Sequence, residues 1–202
     1  TIKAKNVEIN CQHSSQYLSA LLLMAPLTPQ GLDIQVIGGP VSRPYIDMTV
    51  ALMESFGIAL DRTDYQKFLI PGSQSYRAGQ YAVEADCSQA AYFWSAAAIG
   101  GTMIKVMGVK PESLQGDMRF LKCLQEMGCR ITTEPDGINV AGGQLNGIEA
   151  DLADMPDQVP TLAVVAAFSR GTTVIKNVAH LKSKESDRLA AMLNLISPDM
   201  LR

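Results

Sequence analysis

Apolar positions along this chain fall into a pattern that repeats. Alanine-rich helical stretches open after Ala85-Asp86 and again after Pro156-Asp157, 71 residues further on. The same shift upstream leads to Ser15, which opens an apolar helical stretch over residues 16–25. In the two later copies a glycine and then a short run follow, Thr102-Met103-Ile104-Lys105 in one and Thr173-Val174-Ile175-Lys176 in the other. That order predicts a helix closed by glycine and then a strand. Ser42, Ser113 and Lys184, also 71 residues apart, each stand just before a second helix. In the middle copy Phe120, Leu121, Leu124 and Met127 recur at i, i+1, i+4 and i+7, the mark of one apolar helix face. This helix ends at Met127-Gly128 as its upstream copy does at Phe56-Gly57. Residues 130–133 and 138–141 flank the turn Pro135-Asp136-Gly137 and predict a pair of strands.

The predicted unit is therefore helix, strand, turn, helix and two strands, an α/β arrangement. Two copies read as complete, and the third stops where Asp199 holds the position of the helix-ending glycine. One such unit cannot bury its helices alone, so neighbouring units must pack them. Trp94 and most of the ten methionines fall at helical apolar positions and are assigned to packing.

Composition and charge exclude several classes. With 202 residues, 47% hydrophobic and 18% charged, the chain has enough apolar material for one large core or two small ones, which argues against disorder. A formal net charge of -3 supplies no basic excess for a nucleic-acid backbone, so no nucleic-acid partner is expected and any anion must be gripped locally. The apolar stretch at 18–27 is shorter than the ~20 residues of a membrane span. No signal-peptide pattern stands at the start. Cys11, Cys87, Cys123 and Cys129 lack the paired spacing of zinc or redox motifs and read as reduced thiols of a cytoplasmic protein. The chain opens at Thr1 and stops at Arg202 inside a helical pattern, which reads as an internal piece of a longer protein.

Candidate chemistry lies at the helix starts, where the copies differ without a packing reason. Ser14-Ser15-Gln16 and Ser42, with Tyr45 one turn on, place hydroxyls and free backbone N–H groups where a helix dipole favours an anion. Plain N-capping by Ser15 and Ser42 is the competing reading. In the third copy Asp157 replaces Ser15, and Lys184-Glu185 with Arg188 replaces the Ser42 segment. Two carboxylates, an ammonium and a guanidinium so grouped suit proton transfer; a solvated charged helix start is the alternative. Asp86 occupies the same repeat position as Asp157, where capping accounts for it, and His180 precedes the charged cluster by four residues, where it could donate to a substrate oxygen; a loop histidine with no role is the commoner reading.

Together Ser14-Ser15-Gln16, Val41-Ser42-Arg43-Pro44-Tyr45-Ile46-Asp47-Met48-Thr49, Asp86 with its helix, Gln115-Gly116-Asp117, Pro156-Asp157 and Lys184-Glu185-Ser186-Asp187-Arg188 resemble the 5-enolpyruvylshikimate-3-phosphate synthase family. The resemblance runs from about Ser14 to Leu189. It implies βαβαββ units in an inside-out α/β barrel, here incomplete, with a hinge near residues 84–86. Residues 1–84 would then belong to the shikimate 3-phosphate domain and 85–202 to the second domain. It implies that Ser14, Ser15 and Ser42 hold the phosphate of shikimate 3-phosphate, that Gln16 and Tyr45 contact the shikimate side and the incoming enolpyruvyl group, and that Asp86 and His180 also line the substrate site. Asp157 would take the proton of the attacking 5-hydroxyl, Lys184 would bind phosphoenolpyruvate and share in proton transfer, Glu185 would help protonate its methylene carbon, and Arg188 would hold its anionic end. The implied role is in the chorismate branch of aromatic amino-acid biosynthesis, with no metal or organic cofactor.

Three departures and two rivals go with this reading. His180 stands where many relatives have asparagine, and Lys182-Ser183 also varies. The family's amino-terminal lysine and arginine segment, its glycine-rich phosphoenolpyruvate loop and its carboxyl-terminal basic residues have no counterparts, so the chain alone is expected to be inactive. The full-length enzyme is expected to be a monomer, and the isolated piece to self-associate through open sheet edges and exposed apolar surface. The rivals are a UDP-N-acetylglucosamine enolpyruvyl transferase and a non-catalytic sugar-phosphate binding module.

Overall fold

The computed structural model describes residues 5–184 and 186–195. The chain divides into two compact units, Thr1–Ala82 and Val83–Arg202.

The first unit begins with β1 (Asn6–Asn10), followed by α1 (Gln16–Met24), β2 (Leu32–Ile37), α2 (Arg43–Ser55), β3 (Asp61–Thr63) and β4 (Lys67–Ile70). Its sheet has the order β1-β2-β4-β3. β1 and β2 are parallel, with Val7 opposite Ile34, while β4 is antiparallel to both β2 and β3. A parallel pair needs a crossover, and α1 supplies it. The core between helices and sheet is built from Leu18, Leu22, Ile34, Ile46, Met53 and Phe68, all fully buried. Gly57 follows α2 at φ 81°, a left-handed conformation that suits glycine at a helix end.

The second unit repeats this plan. Its elements are α3 (Cys87–Gly100), β5 (Met103–Met107), α4 (Phe120–Met127), β6 (Arg130–Glu134), β7 (Gly137–Ala141), β8 (Glu149–Asp151), α5 (Val159–Ala167), β9 (Val174–Lys176) and α6 (Arg188–Leu195). Single 3-10 turns lead into α4, at Gly116–Arg119, and into α5, at Pro156–Gln158; a third, Ala179–Ser183, follows β9. One sheet runs β5-β7-β6, and β8 pairs with β9 in parallel, with α5 as the crossover. The predicted face of α4 is the buried one: Phe120, Leu121, Leu124 and Met127 lie in one core with Trp94, Ile138, Val140, Leu162 and Val165. Gly128 ends this helix at φ 116°, in register with Gly57.

The 71-residue shift thus carries α1 onto α3, β2 onto β5 and the β3–β4 pair onto β6–β7. Three features depart from the sequence reading. β1 and β8 were not visible as strands, being only 5 and 3 residues long with no run of β-branched residues. The second copy lacks the first strand of a βαβαββ unit: residues 71–86 form neither helix nor strand, and its sheet has three strands where the first unit has four. Tyr81 and Val83 in this connection are exposed, so no sheet face holds them. Finally, Met103, already in a predicted strand, and Met107 are exceptions to the assignment of methionines to packing. They sit in β5 with about two-thirds of their surface exposed, because alternate residues of a strand face opposite ways and these two face out.

Candidate active site

In a parallel βαβ crossover the helix starts beyond the carboxyl end of its strand, so successive crossovers bring helix N-termini to one edge of a sheet. In the first unit this places the start of α1 beside the start of α2, and the Val41 N–H donates to the Cys11 carbonyl at 3.2 Å across the two loops. Ser14, Ser15, Gln16, Ser42 and Tyr45 all lie in these two loop-to-helix junctions. The Gln16 N–H donates to Ser14 Oγ at 3.2 Å.

Neither Ser15 nor Ser42 acts as an N-cap through its side chain. Both precede a helix and both are buried, at 4% and 6% exposure, yet neither hydroxyl makes a capping hydrogen bond. Ser42 is also held at φ 55°, ψ 47°, in the left-handed region. That conformation costs a non-glycine residue about 1–2 kcal/mol. No side-chain cap offsets that strain. Tyr45 is half-buried on the first turn of α2 and Gln16 is exposed.

The second unit gathers the charged residues. Asp157 lies in the 3-10 turn before α5 and Arg188 is the first residue of α6, and the Arg188 guanidinium donates to Asp157 Oδ1 at 2.6 Å. These residues are 31 apart in sequence and meet because β8 and β9 are parallel neighbours. Lys184 stands in extended backbone at φ -84°, ψ -158°, after the turn that carries His180. Glu185 lies outside the described residues. Asp86 does what capping predicts: Oδ1 accepts the Ser88 N–H at 2.8 Å at the start of α3.

His180 Nε2 is buried and has no hydrogen-bond partner among the described residues. Burial first, and then the Lys184 ammonium, lower the pKa of this imidazole below its ordinary 6.5, with Asp157 pulling the other way. The unfolded chain therefore takes up this proton more readily than the folded one. The stability contributed by His180 is complete above pH 6.5 and is lost as pH falls from there through the folded value. Urea melts at pH 7.5 and 5.5 check this: the chain loses stability at the lower pH, and His180→Gln reduces that loss. An unchanged pH dependence in the variant would refute the assignment.

Three residues without an assigned role also belong to this region. Gln158, next to Asp157, donates from Nε2 to Asp117 Oδ1 at 2.8 Å, and both side chains are buried. Gln115 reaches back to the start of α3, where Oε1 accepts the Cys87 N–H at 2.8 Å and Nε2 donates to the Ala85 carbonyl at 2.9 Å. The repeat itself held a signal for the first pair, since the 71-residue shift sets Asp117 on Ile46 and, applied twice, sets Gln158 on Gln16.

Among the described residues no three His, Cys, Asp or Glu side chains come together as a metal site, and no helix is long and apolar enough to cross a membrane. All four cysteines are buried free thiols, with burial pushing Cys87 up to about 12 and Cys123 up to about 11. Such thiols are poor nucleophiles at neutral pH.

Solved structures place the fold among enolpyruvyl transferases. EPSP synthase from Acinetobacter baumannii superposes with a TM-score of 0.74 at 24% identity, over 94% of this chain and 44% of that one. The enolpyruvyl transferase NikO from Streptomyces tendae superposes with a TM-score of 0.64 at 17% identity, over 85% of this chain and 44% of that one. At such identities the likeness establishes the architecture alone. A family model described as EPSP synthase (3-phosphoshikimate 1-carboxyvinyltransferase) matches residues 1–197, and the chain belongs to that family. It is 45% identical to the 3-phosphoshikimate 1-carboxyvinyltransferase of Citrobacter koseri and 46% identical to that of Cronobacter sakazakii, each over 188 residues. Those alignments cover 93% of this chain and 44% of each relative, so the chain spans less than half the length of the curated relatives it matches.

Proposed function

We propose that this chain forms part of an enzyme that transfers the enolpyruvyl group of phosphoenolpyruvate to the 5-hydroxyl of shikimate 3-phosphate and releases phosphate. The observation that carries this reading is the 45% identity, over 93% of the chain, to relatives named for that transfer. In this reading residues 1–84 belong to the shikimate 3-phosphate domain and 85–202 to the second domain, with the hinge near 84–86. Ser14, Ser15 and Ser42 hold the phosphate of shikimate 3-phosphate, and Gln16 and Tyr45 its ring side, with Asp86 and His180 completing the substrate contacts. Asp157 accepts the 5-hydroxyl proton as the oxygen attacks C2 of phosphoenolpyruvate, while Lys184 and Glu185 deliver a proton to C3. Arg188 carries the positive charge that the anionic end requires. The tetrahedral adduct then loses a proton from its new methyl group and expels phosphate, which restores the double bond.

Calorimetric titration of shikimate 3-phosphate into the 202-residue chain tests the first half of this reading. Saturable binding is expected, weakened about 10–100-fold by Ser42→Ala, the loss expected for one hydrogen bond to a charged group. UDP-N-acetylglucosamine should give no heat. Equal affinity in wild type and Ser42→Ala would remove Ser42 from the cradle, and tighter binding of the UDP-sugar would point to the other enolpyruvyl transferase branch.

A further inference from the structure

The repeat supplies an internal control for one buried acid. Asp117 is 2% exposed, and its copy 71 residues upstream is Ile46, fully buried in the first unit. The fold therefore accepts a hydrocarbon at this position. Placing a carboxylate there costs free energy that packing does not return. Its partner shows the same inversion. Gln16 is exposed at the start of α1 and the middle copy, Cys87, is a buried thiol, whereas the third copy, Gln158, is 1% exposed and puts a polar amide inside, donating to Asp117 Oδ1 at 2.8 Å. Gln158 Oε1 is buried without a partner among the described residues, so the amide has been brought inside at a loss on its other end.

What the pair holds is the turn Pro156–Gln158, whose middle residue is Asp157. This turn has no capping side chain. Asp117 lies in the turn before α4, so its bond to Gln158 ties that turn to the turn before α5. Burial raises the Asp117 pKa, and the charge of Asp157 adds to that rise, which puts the two carboxylates within electrostatic reach of one another.

We propose that Asp117 is a positioning residue for Asp157, fixing the turn that carries this base through its hydrogen bond to Gln158. The inference rests on the role given to Asp157 above. Asp117 touches no substrate in this scheme; it sets where the base stands relative to the attacking hydroxyl, and a misplacement of about 1 Å costs ~10²-fold in rate.

The test compares Asp117→Leu, Asp117→Asn and Asp157→Asn in the full-length enzyme, with kcat, both KM values and thermal stability read for each. Asp117→Leu places a hydrocarbon where Ile46 shows the fold accepts one but strands the buried Gln158 amide N–H, so it is expected to melt modestly below wild type while staying folded at the assay temperature, with kcat down ~10–100-fold and both KM values within about twofold. Asp117→Asn, whose amide can donate to Gln158 Oε1, is expected to recover most of kcat. Full kcat in Asp117→Leu would overturn the proposal. So would equal losses in Leu and Asn, since the hydrogen bond would then not be the operative link, and so would a fall in melting temperature large enough to account for the lost rate. Asp157→Asn separates this from the reading it rests on. If that variant turns over normally, the role of Asp157 is wrong; if it is inactive while Asp117→Leu is not, only the positioning role fails.

Discussion

Asp157→Asn in the full-length enzyme is expected, on the proposed role of Asp157 as the base, to lower kcat by ~10²–10⁴-fold, the range a positioned general base contributes, with shikimate 3-phosphate affinity unchanged. The expectation follows from placement. Asp157 lies in a one-turn helix at the carboxyl end of β8, held on one side by Arg188 at 2.6 Å and on the other by the buried bond from Gln158 to Asp117. The proposed phosphate cradle is built from other residues, at the starts of α1 and α2 in the first unit. Asparagine keeps the shape and a hydrogen-bonding oxygen but cannot take a proton at neutral pH. Phosphate release followed at saturating concentrations of both substrates measures kcat, and calorimetry with shikimate 3-phosphate measures the cradle separately. A loss below about tenfold would exclude general-base catalysis by this residue. A parallel loss of shikimate 3-phosphate affinity would show that Asp157 belongs to binding rather than to proton transfer.

The division between legible and hidden features has a physical basis. A helix face declares itself through periodicity, and Phe120, Leu121, Leu124 and Met127 were readable as one buried stripe because that spacing puts all four on one side of a helix and on both sides of a strand. The glycines at 57 and 128 were readable for a similar reason, since both adopt a positive φ where a helix stops. Strands β1 and β8 were not, because their stability comes from pairing with β2 and β9, a non-local fact that a stretch such as Glu149–Asp151 does not carry. The charged cluster was half legible. Its members were visible as residue types at matching repeat positions, but the 2.6 Å contact between Asp157 and Arg188 depends on β8 lying beside β9. The strain at Ser42 and the inward turn of Gln158 were invisible for the same reason. Sequence spacing gives a residue's place along an element, and only the packed neighbours determine its backbone angles and where its side chain goes.

Trp94→Ala is expected to destabilise the second unit by about 3–5 kcal/mol, the usual cost of truncating a large buried aromatic side chain. Trp94 lies in the middle of α3 with none of its surface exposed, and its indole N–H donates to the Ile138 carbonyl of β7 at 3.4 Å. The ring joins the alanine-rich face of α3, where Ala90, Ala91, Ala97 and Ala98 are buried, to the sheet and to the apolar side of α4. Alanines bring backbones close but offer few atoms of their own, so the remaining side chains cannot fill the space that the indole leaves. The first unit keeps its own core of Leu18, Leu22, Ile34, Ile46, Met53 and Phe68. Hydrogen exchange resolved by residue should accordingly lose protection in α3, α4, β7 and α5, while β2 and α2 stay protected. Uniform loss in both units would mean that they unfold as one cooperative body and that the two cores are not separate sources of stability. A change below about 1 kcal/mol would mean that the second unit closes over the missing ring, and the alanine face of α3 would then be the place to look for the movement.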